Sequence, residues 1–133
     1  MAHKLVEIAV EARLRAQWST SPIFVENIIA ESPADGSGYV VLQFPVATVE
    51  RWPVNAKVYR ETGAFRMVLH VPSGTGTDAI RDYGEQLAAI FCDETFDGVR
   101  CRVPGPPFID DSPEGPLIWA SIVVPYEFVF SRA

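Results

Sequence analysis

The apolar residues near the start of the chain recur at helical spacing on two faces. Val6, Val10 and Leu14 form one ridge at i, i+4 and i+8. In a helix over residues 3–17 this ridge points well away from a second apolar stripe. A helix with two apolar faces has either two neighbours inside its own fold or a partner subunit. Both alternatives stay open here, so the ridge is a candidate subunit contact. The second stripe consists of Leu5, Ile8, Ala9, Ala12 and Ala16.

The remaining pattern predicts five strands and a second helix. In the strands, apolar side chains alternate with polar ones or follow one another in short β-type runs. Helical spacing returns from Thr77 to Phe91. We therefore predict one α+β domain over residues 1–133, in which two helices pack on a mixed, mostly antiparallel sheet of about five strands in the order α-β-β-β-α-β-β. The predicted strands cover residues 23–28, 39–46, 63–71, 99–103 and 117–130.

Prolines predict interruptions in two of these strands. Pro45 is expected to end its strand or to confine it to a sheet edge, because proline donates no backbone hydrogen bond. The last strand would extend roughly 45 Å at about 3.3 Å per residue, so we expect it to bend at Pro125 or to project from the domain. Residues 47–61 surround Pro53 and are expected to form an extended arm or a loose hairpin. Trp52 in this segment is either a core residue or a contact residue, since tryptophan is favoured at interfaces.

Composition and charge narrow the functional classes. The chain has 133 residues, of which 48% are hydrophobic, and a net charge of −6. That charge argues against specific binding of nucleic acid, which needs clustered lysine and arginine. Cys92 and Cys101 lack the paired spacing of a zinc site and are expected to be buried, reduced thiols. No run is long and apolar enough for a signal peptide or a membrane span, so we expect a cytoplasmic protein without membrane contact.

A glycine-rich turn is the strongest candidate for a binding loop. The stretch HVPSGTGTDAI, residues 70–80, leads from an apolar strand into the second helix, and its glycines match the permissive dinucleotide pattern G-x-G-x-x-G/A. A chain with two helices cannot build the doubly wound sheet that this function needs. Asp78 would also repel a pyrophosphate at the start of the helix. We therefore interpret Gly74 and Gly76 as turn residues, and Thr75 and Asp78 as a capping pair.

Residues suited to catalysis or metal binding are sparse. His3 and His70 are the two histidines, and neither has sequence neighbours typical of a triad or a metal site. Asp110, Asp111 and Glu114 lack the alternating spacing of a calcium loop, so we interpret them as a solvated acidic loop. We predict no enzymatic activity, no cofactor and no metal, and a role in assembly fits the pattern better.

Three stretches, YRETGAFRMVLHVPSGTGTDAIRDYGEQLAAIF, DGVRCRV and WASIVVPYEF, carry a family resemblance. Together they resemble bacteriophage tail terminator proteins of the lambda type, and more closely a branch of short phage proteins, over residues 3–130. The matching features are a first helix that ends in Leu-Arg-Ala at Ala16, Tyr59 and Gly63 at the start of a strand, Val71-Pro72 at its end, the turn at Gly74 and Gly76, a helix that ends at Phe91, and Val124-Pro125-Tyr126 in the last strand.

The resemblance implies a structural protein of the virion tail, assembled in the cytoplasm of the bacterial host. Such a protein forms a ring, typically of six copies, that caps the tail tube. The ring stops polymerisation of the major tail tube protein and offers a surface to head-completion proteins. DNA passes through it without being bound specifically, and the family has no catalytic residues to carry over. The alternatives are a head-completion or connector protein of a phage, and a small ligand-binding α+β domain that uses the Gly74 turn.

A closed ring constrains the contacts between its subunits. One patch of each subunit must meet a different patch of the neighbouring subunit. The first helix supplies one such patch, and the arm or the end of the last strand supplies the other. The predicted contact residues are Val6, Val10 and Leu14 in the helix, Trp52 in the arm, and Phe128 and Phe130 in the last strand.

Overall fold

Two helices and seven strands occupy the described residues of the chain. The structure is a computed structural model, and it describes residues 2–25, 38–51, 57–72, 77–106, 108–110 and 117–131. The helices are α1 (Lys4–Gln17) and α2 (Thr77–Phe91). The strands are β1 (Ile23–Val25), β2 (Tyr39–Arg51), β3 (Val58–Pro72), β4 (Thr95–Phe96), β5 (Val99–Cys101), β6 (Phe108–Asp110) and β7 (Leu117–Ser131).

The strands form one mixed sheet in the order β1-β2-β3-β7-β5-β4, and β6 also pairs with β7. β1 runs parallel to β2, whereas every other pair in the described sheet is antiparallel. The predicted α+β class, with two helices and a mixed, mostly antiparallel sheet, is confirmed. The two strands beyond the expected five are β4 and β6, which have two and three residues and are too short to show a periodic pattern.

The central pair of the sheet, β3 and β7, stays in register over the full length of both strands. Their partners run without a shift from Val58 opposite Ser131 to Pro72 opposite Leu117. Pro125 therefore does not interrupt the pairing of β7 with β3. In an antiparallel strand the N–H and C=O of one residue point to the same side. The Pro125 carbonyl accepts from the Arg102 N–H beyond β5, so the missing donor faces that side and β3 loses no hydrogen bond.

Pro45 does not end β2, but it lies where β2 is an edge of the described sheet, which is the other predicted alternative, because β1 pairs with β2 only from Val40 to Leu42. The register between β2 and β3 shifts between Gln43 and Val46, and this bulge accommodates the proline before the strand continues to Arg51. Residues 47–51 pair with β3, so the loose hairpin predicted for this segment is the correct alternative. From here on, the word arm means this hairpin together with the end of β7 that pairs with it, which are residues 46–51, 57–63 and 127–131.

One hydrophobic core joins both helices to one face of the sheet. The Phe65 and Phe91 rings meet edge to face, with centroids 4.9 Å apart, and so fix the end of α2 against β3. The Arg13 guanidinium reaches from α1 to the last turn of α2, where its Nε–H donates to the Ile90 carbonyl at 2.8 Å. The helices are thus tied to each other as well as to the sheet.

The ridge of Val6, Val10 and Leu14 on α1 faces the core of its own chain. Val6, Val10 and Leu14 are all 0% exposed and belong to the core of their own chain, which corrects their prediction as a subunit contact. Leu5 and Ile8 of the other stripe are 54% and 52% exposed. Periodicity defines two faces of a helix but does not decide which one the sheet covers, and here the ridge of branched residues fills the core.

Gly63 in β3 sits where the arm begins and has no room for a side chain. A Cβ at this position would lie 2.3 Å from the Val46 carbonyl oxygen and 3.1 Å from the Tyr126 hydroxyl. The first of these neighbours is backbone, so relief requires the paired strands to move apart. The close approach of β2, β3 and β7 at the base of the arm therefore depends on glycine.

We expect Gly63→Ala to lower the free energy of unfolding by about 2–3 kcal/mol, because the new methyl group forces strand separation. Urea denaturation of the purified chain measures this loss. Gly105→Ala is the matched control, since a Cβ there meets no atom within 4 Å, and it should change stability by less than about 0.5 kcal/mol. Equal stability of the two variants would contradict the steric argument.

Candidate subunit interface

A buried carboxylate fixes the start of α1 on the arm. Glu61 of β3 is 2% exposed, and its two carboxylate oxygens accept from the His3 backbone N–H, each at 3.1 Å. The Tyr126 hydroxyl donates to the same carboxylate at 2.7 Å. The negative charge lies at the N-terminus of α1, where the unpaired N–H groups and the helix dipole stabilise an anion. Glu61 thereby anchors the helix to the sheet.

The His3 side chain completes this anchor. Its Nδ1 accepts from the Leu5 N–H at 3.1 Å and so caps the helix. Its ring lies against those of Phe128 and Phe130, with centroids 5.3 and 4.7 Å away, and the Phe130 ring also stacks on Tyr59 at 5.6 Å. Phe128 is therefore buried under the start of α1, which corrects its prediction as a subunit contact. Phe130 is half-buried at the end of the arm, and its role in subunit contact stays a prediction.

The site of Glu61 also perturbs the acidity of its tyrosine partner. Burial of the Tyr126 ring, together with the hydrogen bond to Glu61, raises the pKa of Tyr126 well above its ordinary value. The hydroxyl consequently keeps its proton and acts as a donor throughout the neutral range. A negative charge on Tyr126 beside the Glu61 carboxylate would be strongly unfavourable.

Exposed apolar side chains lie on both elements that Glu61 joins. On α1, Leu5 and Ile8 face solvent together with Ala12 and Ala16, at spacings of three and four residues. On the arm, Val49 is 49% exposed, and Val46 and Val129 are exposed as well. No strand pairs with the outer edge of β2 from residue 46 to 51 within the described part of the chain. Such surfaces are typical of protein contacts.

Several predicted site residues fall in other places. Trp52, Gly74, Thr75 and Gly76 lie outside the described residues. Asp78 is the second residue of α2, and its capping role stays a prediction.

The described part of the chain does not bring side chains suited to catalysis or metal binding together in one place. No group of three or more His, Cys, Asp or Glu residues there could hold a metal ion. Cys92 is half-buried and Cys101 is buried, both as free thiols. No helix in the described part is long and apolar enough to cross a membrane. The surface features of α1 and the arm are therefore the better guide to function.

The position of Glu61 in the sequence indicates that its side chain is buried. Tyr59, Glu61 and Gly63 continue the period of two that places Phe65 on the core face of β3. A glutamate at such a position is rare unless its charge has partners. His3 and Tyr126 could not be identified as those partners, because they lie 58 and 65 residues away along the chain.

Comparisons with known proteins identify a family and a similar solved structure. A family model described as "Phage tail terminator protein" matches residues 5–126. A solved structure that is 23% identical in sequence superposes with a TM-score of 0.65, covering 100% of this chain and 99% of its own, and this likeness concerns the fold alone. No curated protein matches the chain.

We expect Tyr126→Phe to lower the free energy of unfolding by about 1–3 kcal/mol at neutral pH, because the buried Glu61 carboxylate loses a hydrogen-bond donor. Thermal or urea unfolding tests this cost. Tyr83→Phe removes a hydroxyl from a half-exposed ring of α2 and serves as the control, with an expected change below about 0.5 kcal/mol. A neutral Tyr126→Phe variant would show that Glu61 does not need this donor.

Alkaline pH should reduce the difference in the free energy of unfolding between the wild type and Tyr126→Phe. The unfolded tyrosine ionises near its ordinary pKa of about 10, whereas the folded one stays protonated, so the stability that Tyr126 contributes is present below pH 10 and decreases above it. We expect the advantage of the wild type to shrink by about 1.4 kcal/mol between about pH 9 and about pH 11. Parallel unfolding curves of the two proteins across this range measure the effect. A constant difference would mean that Tyr126 ionises equally in both states.

Proposed function

Because the chain belongs to the phage tail terminator protein family, we propose that it acts as a ring of six copies that caps the tail tube. Membership of this family makes it a structural component of the phage tail. In the proposed role, the ring ends polymerisation of the major tail tube protein and then presents its other face to head-completion proteins. Capping of this kind is steric and requires no catalytic residue.

The observation that carries this proposal is the presence of exposed apolar side chains on two different elements of the subunit. Leu5 and Ile8 project from α1, and Val49 projects from the arm, so the apolar patches lie on different elements of one subunit. A patch that meets a different patch on the next copy generates a closed ring when the rotation between copies is suitable. The anchor at Glu61 supports this role because it holds α1 and the arm in a fixed relation.

The net charge of the chain supports a pore that does not retain DNA. At −6 the subunit is acidic, and six copies multiply that charge around a common channel. Tight binding of DNA depends on neutralisation of phosphates by lysine and arginine. An acidic ring would allow the genome to pass without holding it.

Assembly and capping can be tested with the purified chain and tail tube protein. We expect native mass spectrometry to show a species of six copies, alone or on tube ends, and electron microscopy to show that the chain stops tube growth. Ile8→Glu should reduce both activities while the circular dichroism spectrum is retained, because a charge then enters an apolar contact. Ser19→Glu, at an exposed position beyond α1, is the control and should behave as the wild type.

Two results would contradict the proposal. A chain that remains monomeric both in solution and on tube ends would exclude the ring. A chain that binds heads but leaves tube length unchanged would be a head-completion protein instead.

A further inference from the structure

A shallow groove of about 330 Å³ lies between α2 and the segment that follows β5. Its lining is mainly apolar, and Val103 in it is 61% exposed. Glu85 of α2 also lines the groove. An apolar groove with a charged residue at its side suits a protein segment that presents both an apolar and a cationic side chain. The apolar lining consists of Ala88, Ala89, Val103, Pro104 and Pro106.

The surface of α2 beside this groove is acidic. Asp82, Glu85 and Ala89 share one exposed stripe of the helix, at spacings of three and four residues. In sequence, α2 carries one cation, Arg81, against three carboxylates. Asp93 is a further exposed carboxylate just after the helix. The wall of the groove that α2 forms is therefore net negative.

The end of the arm has the opposite sign. In sequence, the arm's hairpin of residues 46–51 and 57–63 carries three cations, Arg51, Lys57 and Arg60, against two carboxylates, Glu50 and Glu61. Glu61 is buried, and Arg51 is exposed. The hairpin is therefore net positive, although the whole chain is acidic.

The arm's outer strand and the groove lie toward opposite sides of the sheet. β2 is separated from β5 by β3 and β7 in the strand order, and the groove is formed by the segment that leaves β5. One subunit therefore cannot easily bring its own β2 edge to its own groove. Two complementary surfaces on opposite sides of a subunit form a head-to-tail contact, which is the kind that a ring repeats.

We infer that the arm of one copy docks in the α2 groove of the next copy. Val49 packs on the apolar lining, and Arg51 and Lys57 lie beside Asp82 and Glu85. This inference rests on the ring proposed above and identifies the surface that the arm meets on the next copy. It also assigns the arm to a protein partner, a second copy of this chain, rather than to DNA.

Reciprocal charge reversal tests the contact. The arm variant carries Arg51→Glu and Lys57→Glu, and the groove variant carries Asp82→Lys and Glu85→Lys. Each variant alone brings like charges together, so we expect its ring to dissociate at a subunit concentration at least about tenfold higher than that of the wild type. An equimolar mixture should recover rings in which the two variants alternate in equal number, since each arm then faces a groove of opposite charge. The charge-conserving variant Arg51→Lys with Lys57→Arg is the control and should assemble as the wild type does.

Native mass spectrometry distinguishes the outcomes, and circular dichroism verifies that each variant is folded. Weakened rings of each single variant, with alternating rings in the mixture, would support the contact. Rings of normal stability in both single variants would overturn the inference and leave the proposed ring intact. A wild-type chain that forms no ring, either free or on tube ends, would instead overturn the proposed function. An arm variant that assembles normally but loses binding to a fluorescent DNA duplex would assign the arm to nucleic acid and also overturn the inference.

Discussion

The buried carboxylate of Glu61 is the interaction on which the arrangement of this subunit depends. A negative charge that is almost fully removed from water is costly unless donors surround it, and here the His3 N–H and the Tyr126 hydroxyl supply them. One donor comes from the first turn of the chain and the other from its last strand. Their shared acceptor on β3 thus links the start of α1, the arm and the centre of the sheet.

This link determines what the subunit presents to its surroundings. Gly63 allows the strands to approach at the base of the arm, and that approach brings Tyr126 to Glu61. Glu61 then holds the first turn of α1 on the sheet, where the ridge of Val6 and its neighbours lies in the core and Leu5 faces solvent. In the proposed ring, a rigid position for α1 beside the arm would lower the entropy lost when the next copy binds.

The sequence predicts secondary structure and buried faces where side chains follow a local period. It does not predict features that depend on contacts with segments far away along the chain. α2 has the predicted bounds, and the sheet class is confirmed, because apolar alternation records which face is buried. Both faces of α1 are apolar, so the period does not show which one the sheet covers. The effect of a proline likewise depends on the neighbouring strands, because a bulge accommodates Pro45 and the missing donor of Pro125 faces away from β3. The period places Glu61 on the core face of β3, but it does not identify His3 and Tyr126 as its partners.

The positive arm and the negative α2 wall of the groove also constrain the symmetry of the proposed assembly. A dimer with a two-fold axis joins each patch to its own copy. Two arms in such a dimer would bring Arg51 and Lys57 against the same cations, and two grooves would bring Glu85 against the same carboxylate, both of which are repulsive. Contact between an arm and a groove avoids both penalties and leaves one arm and one groove open at the ends of every chain of subunits. In the proposed ring, the rotation between copies brings these two ends together and growth stops, so the charge pattern that opposes a two-fold dimer is compatible with a ring.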